Sequence, residues 1–283
     1  MRRFSKRELK GGAFKLSLLL ALGIGFITLG TLLVDVFSDG LGYLDGTLFT
    51  NAPSTNPDRA GARPAIIATL YIGALLLAFV VPIGVATAIY LEEYADKTRW
   101  YNRLLEINIQ NLAAVPSIVY GILGLAFLVR GLGLGRVLLA GAMILTLLVL
   151  PTVIIAAREA IRAVPDSIRQ GGYALGATQW QVVSRQVLPA AVPGIATGSI
   201  LALSRGIGET APLILIGAVT FISFDPTILG PFTALPIQIY SFLRLPQPEF
   251  KLLAAASIIV LLGILLTLNA FAIFIRNRYR RTW

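Results

Sequence analysis

An all-α polytopic membrane bundle is the fold class this sequence predicts. Of its 283 residues, 56% are hydrophobic and only 13% are charged; the mean hydropathy is +0.79. Apolar runs of spanning length recur between polar, basic segments. That balance makes lipid, not water, the solvent for most of the chain. The formal charge of +10 does not point to nucleic acid, because the basic residues sit at the ends of apolar runs and not along one face. With no Cys and no His, thiol chemistry, disulfides and most transition-metal sites drop out, and no metal site is expected.

The first run, Phe14 to Val36, rises from a basic start of Arg2, Arg3, Lys6, Arg7, Lys10 and Lys15. It is longer than the roughly 7–15 residues of a signal-peptide core, which favours a retained span. Ser38 to Arg63 is rich in Gly, Asp, Pro and Asn and reads as an exposed loop. The second run, Pro64 to Leu91, ends at Glu92, Glu93, Asp96, Lys97, Arg99 and Arg103. The third, Ile107 to Val129, leads into a tight Gly-Leu-Gly-Leu-Gly turn, and the fourth covers Val137 to Ala157. A polar insert, Arg158 to Val192, precedes the fifth run, Pro193 to about Phe221. After a Pro-rich loop, the sixth, Leu252 to Ile275, stops at Arg276, Arg278, Arg280 and Arg281.

Six spans place both termini on one side. Seventeen Lys and Arg fall on that side and six on the other, so the positive-inside rule puts the termini and the insert in the cytoplasm. Pro82, Pro116 and Pro151 lie inside spans two, three and four, where kinks are expected and neighbouring helices can satisfy the freed carbonyls. No internal repeat is visible, so the inverted-repeat signature of many secondary transporters is missing.

Within the insert, Ser167 with Gln170 and Thr178 with Gln181 match the S/T-x-x-E/Q capping pattern, predicting two short helices that meet near Gly176. Trp180, Val183 and Val187 share a helical face, with Tyr173 and Leu175 just upstream, while Ala174, Gly176 and Ala177 leave the backbone open to close approach. Aromatic knobs beside small residues suit insertion into a partner's groove. Spacing alone equally allows an amphipathic helix packed on the chain's own spans or lying at the lipid interface.

The fifth run carries Arg205 and Glu209, four residues apart and so on one face near the middle of the span. A lone charge there costs roughly 2.5 to 17 kcal/mol. Either the two form a self-neutralising pair facing the bundle interior, or they handle an anion. For an anion such as phosphate, Arg205 supplies a planar, permanently charged donor set, and Glu209 can accept from Arg205 or from a protonated phosphate. Sulfate has no proton to donate at neutral pH, so such an acceptor discriminates. Gly206 and Gly208 would let backbone approach the path, and Pro212 would loosen the helix beyond. Arg158 and Arg162 are weaker candidates for guiding the anion; snorkelling to the interface explains them more simply.

The insert resembles the coupling segment of ATP-binding-cassette importer permeases. Gly176, Ala177 and Leu188-Pro189 fit the motif, whereas Gln170-Gly171-Gly172 stands where that family usually has Glu-Ala-Ala. Asn111 to Val129, Arg158 to Gly198, Leu203 to Leu213 and the arginine-rich ending resemble more closely the phosphate-specific subfamily and, within it, the A-type permeases. The likeness runs from about Pro64 to the C-terminus. It implies a type I importer permease bundle: a basic tail, first helix and periplasmic loop over 1–63, the permease domain over 64–275 with its coupling segment at 158–192, and a basic cytoplasmic tail over 276–283.

By the same resemblance Arg205, Glu209 and Thr210 line the substrate path, with Arg158 a weaker candidate. Gln170, Gly171, Gly172, Tyr173, Ala174, Gly176, Ala177, Trp180, Leu188 and Pro189 meet an ATPase. No G-x-x-x-x-G-K-[ST] is present, so this chain does not cradle ATP by that route, and the Ser38 to Arg63 loop is far too short to fold as an extracytoplasmic binding domain. The implied partners are a homologous C-type permease, two ATPase subunits that use ATP and Mg, and a soluble phosphate-binding protein, all at the bacterial cytoplasmic membrane. No catalytic residue and no cofactor are expected on this chain. An importer of another oxyanion (sulfate or molybdate), an ATPase-independent anion channel or secondary transporter, and a phosphate-sensing scaffold are the other readings.

Overall fold

The computed structural model describes residues 6–219 and 221–278; Arg2 and Arg3 of the basic start, and Arg280 and Arg281 of the tail, lie outside the described residues. Every regular element is helical among the described residues: α1 (Lys6–Gly40), α2 (Gly46–Thr50), α3 (Arg63–Ile89), α4 (Trp100–Ala113), α5 (Ser117–Gly124), α6 (Leu138–Arg162), α7 (Asp166–Ala174), α8 (Gln179–Val182), α9 (Leu188–Gly208), α10 (Ala211–Leu215), α11 (Leu235–Leu243) and α12 (Glu249–Arg278). Wider π turns extend α3 through Tyr94 and α5 through Gly131, and one joins α8 to α9 over Val183–Val187.

Among the described residues, five helices are long and apolar enough to cross a membrane, and a bent pair makes up to six. The bent pair is the third span. Trp100–Ala113 and Ser117–Gly131 meet at 105° around Pro116, whose ring collides with the carbonyl four residues back and which has no N–H to donate to it. That carbonyl, on Leu112, accepts instead from the Tyr120 hydroxyl at 2.8 Å. The pair runs antiparallel to α6: Glu106 of α4 meets Arg158 near one end, and a Cβ on Gly124 of α5 would collide with Ile144 near the other. The chain therefore crosses here despite the bend. By contrast α3 and α6 stay helical through Pro82 and Pro151; Pro151 is buried while Pro82 and Pro116 are both exposed, so exposure alone does not decide which proline bends the chain.

The fifth span departs from its expected extent. Helix α9 stops at Gly208, Glu209 is extended (φ −78°, ψ 122°), and α10 restarts at Ala211. Pro212 cannot donate to the Gly208 carbonyl, and its ring would strike it, so the helix breaks a turn upstream. The segment from Ile216 to Ala234, expected in part to be helical, contains no helix among its described residues.

A central core of Leu76, Leu145, Leu148, Val149, Ile207 and Phe232 joins α3, α6 and α9. At the end away from the insert, Phe242 of α11 stacks on Phe250 of α12 with ring centroids 5.7 Å apart. The segment expected to be an exposed loop before α3 folds onto this cluster, with Leu48, Ala60 and Ala62 at most 1% exposed. A Cβ at Gly61 would collide with the Asn51 and Thr47 carbonyls, so only glycine lets the segment close. Helix α1 stands apart, its apolar side chains mostly exposed. It approaches α12 at Gly40, where a Cβ would lie 2.7 Å from the Ala255–Ala256 backbone.

Candidate functional site

Arg205 lies in the last turn of α9, where the unsatisfied carbonyl end of a helix favours a cation. The depth of this point follows from its neighbours. A Cβ on Gly206 would lie 2.6 Å from Leu76 Cδ1 and 3.4 Å from Val149 Cγ1, and those residues sit near the middle of α3 and α6. Gly206 thus serves helix packing and not the path, while Gly208 faces open space. Leu201, Arg205 and Gly208 form one exposed stripe of α9.

The Arg205 side chain is 44% exposed and that of Glu209 24%, with Arg205 Nε 3.9 Å from Glu209 Oε1. This is a loose ion pair and not a hydrogen bond. The expected single helical face is corrected: Glu209 sits on extended backbone past the helix end, and the pair opens away from the chain's own core. Thr210, half-buried, follows with its backbone in helical conformation ahead of α10. On the other side of α10, Gly121 of α5 packs so tightly that a Cβ would lie 2.8 Å from Pro212 Cα. Behind Arg205, Ser204 Oγ donates to Asn269 Oδ1 of α12 at 2.8 Å. Nothing in the sequence pattern singles out Asn269.

Arg158 does not snorkel. Its side chain is 7% exposed and its Nε and Nη2 reach Glu92 Oε1 (2.9 Å) and Glu106 Oε1 (2.8 Å). Glu92, 4% exposed, also takes Arg162 at 2.8 Å and Lys97 at 3.0 Å. The sequence places these groups on one side of the membrane but contains no spacing that pairs them. A polar cavity of about 330 Å³ opens beside them, lined by Lys97, Asn102, Arg103, Glu106 and Arg158.

The insert folds as two short helices with Gly176 at φ +76° between them. Thr178 and Gln181 form the expected reciprocal cap. Ser167 does not cap: α7 starts one residue earlier, after Pro165, whose fixed φ pre-sets the turn. Gln170, Gly171, Tyr173, Ala174, Gly176 and Trp180 are exposed, Tyr173 by 45% and Trp180 by 60%, together with Leu175 at 90%. Val183 and Val187, expected on the Trp180 face, are 1% exposed; the π turn shifts their register inward. Ala177 and Leu188 are half-buried against the Ile161–Val182 cluster, and Pro189 opens α9, so these three brace the insert on the bundle. A Cβ on Gly172 would lie 2.7 Å from Val182 Cγ2, whereas one on Gly171 meets nothing within 4 Å. One of the two glycines is demanded by packing.

Arg169, on α7, was not singled out by the sequence. Its side chain is 16% exposed, and although burial lowers the affinity of the guanidinium for its proton, hydrogen bonding and attraction from Glu93 outweigh this and raise its pKa.

Residues 80–281 match the family described as binding-protein-dependent transport system inner membrane component. The chain is 36% identical over 217 residues to a phosphate transport system permease protein PstA 1 of Mycobacterium tuberculosis, covering 76% of this chain and 70% of that protein. It is 30% identical over 279 residues to a PstA of Xylella fastidiosa, covering 98% and 96% of the two. A solved bacterial alginate ABC transporter, in complex with an alginate pentasaccharide-bound periplasmic protein, aligns with a TM-score of 0.67 at 20% identity, over 98% of this chain and 97% of that one.

Proposed function

This chain belongs to the family of binding-protein-dependent transport system inner membrane components, and from that premise we propose that it is a permease subunit of an ATP-binding-cassette importer that moves inorganic phosphate across the membrane. It is a multi-pass inner-membrane protein. Its relatives bear the names of phosphate transport permeases, and an importer of this class works with an ATPase and a substrate-binding protein.

The observation that carries the substrate reading is a guanidinium at mid-membrane, on the end of a broken helix, facing outward. In lipid that exposure would be costly, and irregular backbone at membrane depth is tolerated only where protein buries it or a water-filled path runs beside it. A second, homologous C-type permease covering the Leu201–Arg205–Gly208 stripe meets both demands and leaves the path between the two chains. There Arg205 binds phosphate oxygens through charge-assisted hydrogen bonds, Glu209 accepts the proton of a protonated phosphate, and Thr210 offers a hydroxyl. Arg158, held by two carboxylates, serves the architecture of the cytoplasmic end and only secondarily the path.

The exposed Tyr173, Leu175 and Trp180 are the side chains that enter the groove of one of two ATPase subunits, with Gln170, Gly171, Ala174 and Gly176 giving close backbone approach. ATP and Mg act in those subunits; this chain carries no catalytic residue. Closure of the ATPase pair moves the insert and shifts the bundle between its two access states, a population shift driven by differential binding. Both termini lie with the insert in the cytoplasm, and the phosphate-binding protein docks on the opposite end.

Labelled phosphate uptake into vesicles holding this chain and its partner permease, with and without the ATPase pair and binding protein, tests the reading. Uptake that needs ATP, resists sulfate and collapses in Arg205→Ala is the expected result. Uptake without the ATPase would place the chain among channels or secondary carriers, and competition by sulfate would move it to another oxyanion.

A further inference from the structure

The two adjacent carboxylates at the end of α3 are both buried but serve different partners. Glu92 holds the spans together through Arg158 and Arg162. Glu93, whose side chain is 5% exposed, turns to the insert instead. A π turn over Tyr90–Tyr94 carries both, and such turns recur at functional positions.

Arg169 is the hub. Its Nε donates to Glu93 Oε1 at 3.1 Å, and Nη2 donates to the same oxygen at 2.8 Å and to the Ile161 carbonyl at 3.0 Å. Nη1 donates to the Val164 carbonyl at 2.7 Å and to Asp166 Oδ1 at 3.2 Å. All five N–H groups a guanidinium possesses are therefore engaged. Two contacts close onto the turn that extends α3, one onto a carbonyl in the last turn of α6, one onto the turn between α6 and α7, and one onto Asp166 of α7 itself. From the other half of the insert, the Gln179 side-chain amide donates to the Glu93 backbone carbonyl. Both short helices of the insert are thereby fastened to a single turn of α3.

We propose that Arg169 and Glu93 are the positioning residues through which the coupling segment moves the second and fourth spans, a joint that transmits displacement without touching phosphate or nucleotide. The proposal rests on the permease reading above. Without the joint, the insert would be held to the bundle by the apolar cluster around Val182, Val187 and Ile161, and non-directional packing of that kind lets a helix slide. A fork with every donor engaged fixes both position and angle. Lysine, with a single point of charge and three donors, keeps the charge but not that geometry.

The experiment uses the assembled complex of this chain with its partner permease, ATPase pair and phosphate-binding protein. Basal ATP hydrolysis, its stimulation by the phosphate-loaded binding protein, phosphate uptake, and ATPase co-purification are measured for wild type, Arg169→Lys, Glu93→Gln and the control Glu159→Gln, a carboxylate on α6 that is 66% exposed and meets Arg162 at 3.4 Å. In Arg169→Lys and Glu93→Gln the ATPase remains bound and basal hydrolysis persists. Stimulated hydrolysis and uptake fall about tenfold, a size typical of coupling free energies, at unchanged half-saturating phosphate; Glu159→Gln matches wild type. Wild-type stimulation in Arg169→Lys overturns the joint, and so does loss of the bound ATPase from both variants, which would mark a purely structural role. If Glu93→Gln fails to accumulate, Gln179→Ala decides: reduced stimulation with the ATPase bound supports the joint, and wild-type stimulation overturns it. A wild-type complex that imports no phosphate would count against the permease reading itself.

Discussion

At residue scale the decisive contrast is between Arg205 and Arg158. The sequence presents both as candidates for guiding an anion, yet one is loosely paired at 3.9 Å and the other is clamped between two carboxylates. Removing the donor of a charge-assisted hydrogen bond costs about 1.5–3 kcal/mol, so Arg205→Lys, which keeps charge but loses the fork, is expected to raise half-saturating phosphate about tenfold, read from uptake curves. Arg158→Ala acts differently. It takes one of three cations from buried Glu92, which keeps Arg162 and Lys97, and the partner from Glu106, whose side chain is 40% exposed, at a cost below the about 3–5 kcal/mol of a fully buried pair; the expected outcome is a lower melting temperature of the purified complex, with the phosphate dependence of residual uptake unaltered. The two glycines of the insert separate in the same way. Gly172→Ala presses on Val182 and should destabilise by about 1–3 kcal/mol, whereas Gly171→Ala meets open space and should be neutral or stabilise α7 by up to about 1 kcal/mol. Thermal unfolding of the two variants side by side checks this. Sequence alone shows only that both glycines weaken a helix, because the contact of Gly172 is made by a residue from the next helix.

At the scale of elements, the spans were legible and their interruptions were not. Hydropathy finds a span because every apolar side chain contributes to it, and the runs beginning at Phe14, Pro64, Val137 and Leu252 all became long helices. A proline's effect depends on what packs around it, so Pro82, Pro116 and Pro151 look alike in sequence although only Pro116 bends the chain through 105°. The same blindness extended the fifth span to about Phe221: its apolar run reads as one helix, but Pro212 breaks it at Glu209 and only the short α10 follows. Tyr120 is the element-scale test of the bend. Tyr120→Phe removes the hydroxyl that donates to the Leu112 carbonyl and leaves that carbonyl with the Val115 N–H at 3.2 Å, at a cost of about 0.5–1.5 kcal/mol. The expected result is a lower melting temperature together with faster hydrogen exchange between Leu112 and Tyr120.

At the scale of the whole molecule, the charges divide by end. The insert end holds the Glu92 and Glu93 networks, with their buried carboxylates, whereas the opposite end shows the exposed Arg63–Asp225 pair at 2.8 Å, worth about 0–1 kcal/mol. The asymmetry fits a rigid transmission at the insert and a compliant gate opposite. The chain has no Cys, so single-cysteine labelling can fix its orientation directly. Leu175→Cys, at a position 90% exposed, should react with an impermeant maleimide only from the cytoplasmic face, and Leu229→Cys, at a position 71% exposed, only from outside. The reverse pattern would invert the topology that the distribution of Lys and Arg implies. That distribution was readable because charge bias acts over whole loops, whereas pairing inside the networks depends on distances that only folding creates.

If an anion passes here as proposed, the end of α9 also sets how long it stays. The carbonyl terminus of a helix carries roughly half a negative charge, and it lies beside Arg205 with the Glu209 carboxylate a further 3.9 Å away. An arriving phosphate would therefore meet one guanidinium set against roughly one and a half negative charges, so the site offers directional donors but no net pull. Such a site is a poor sink and a good stepping stone, since conduction needs binding weak enough to leave. Residence should be brief, so the tempo of transport is left to the mechanical stroke and not to dissociation.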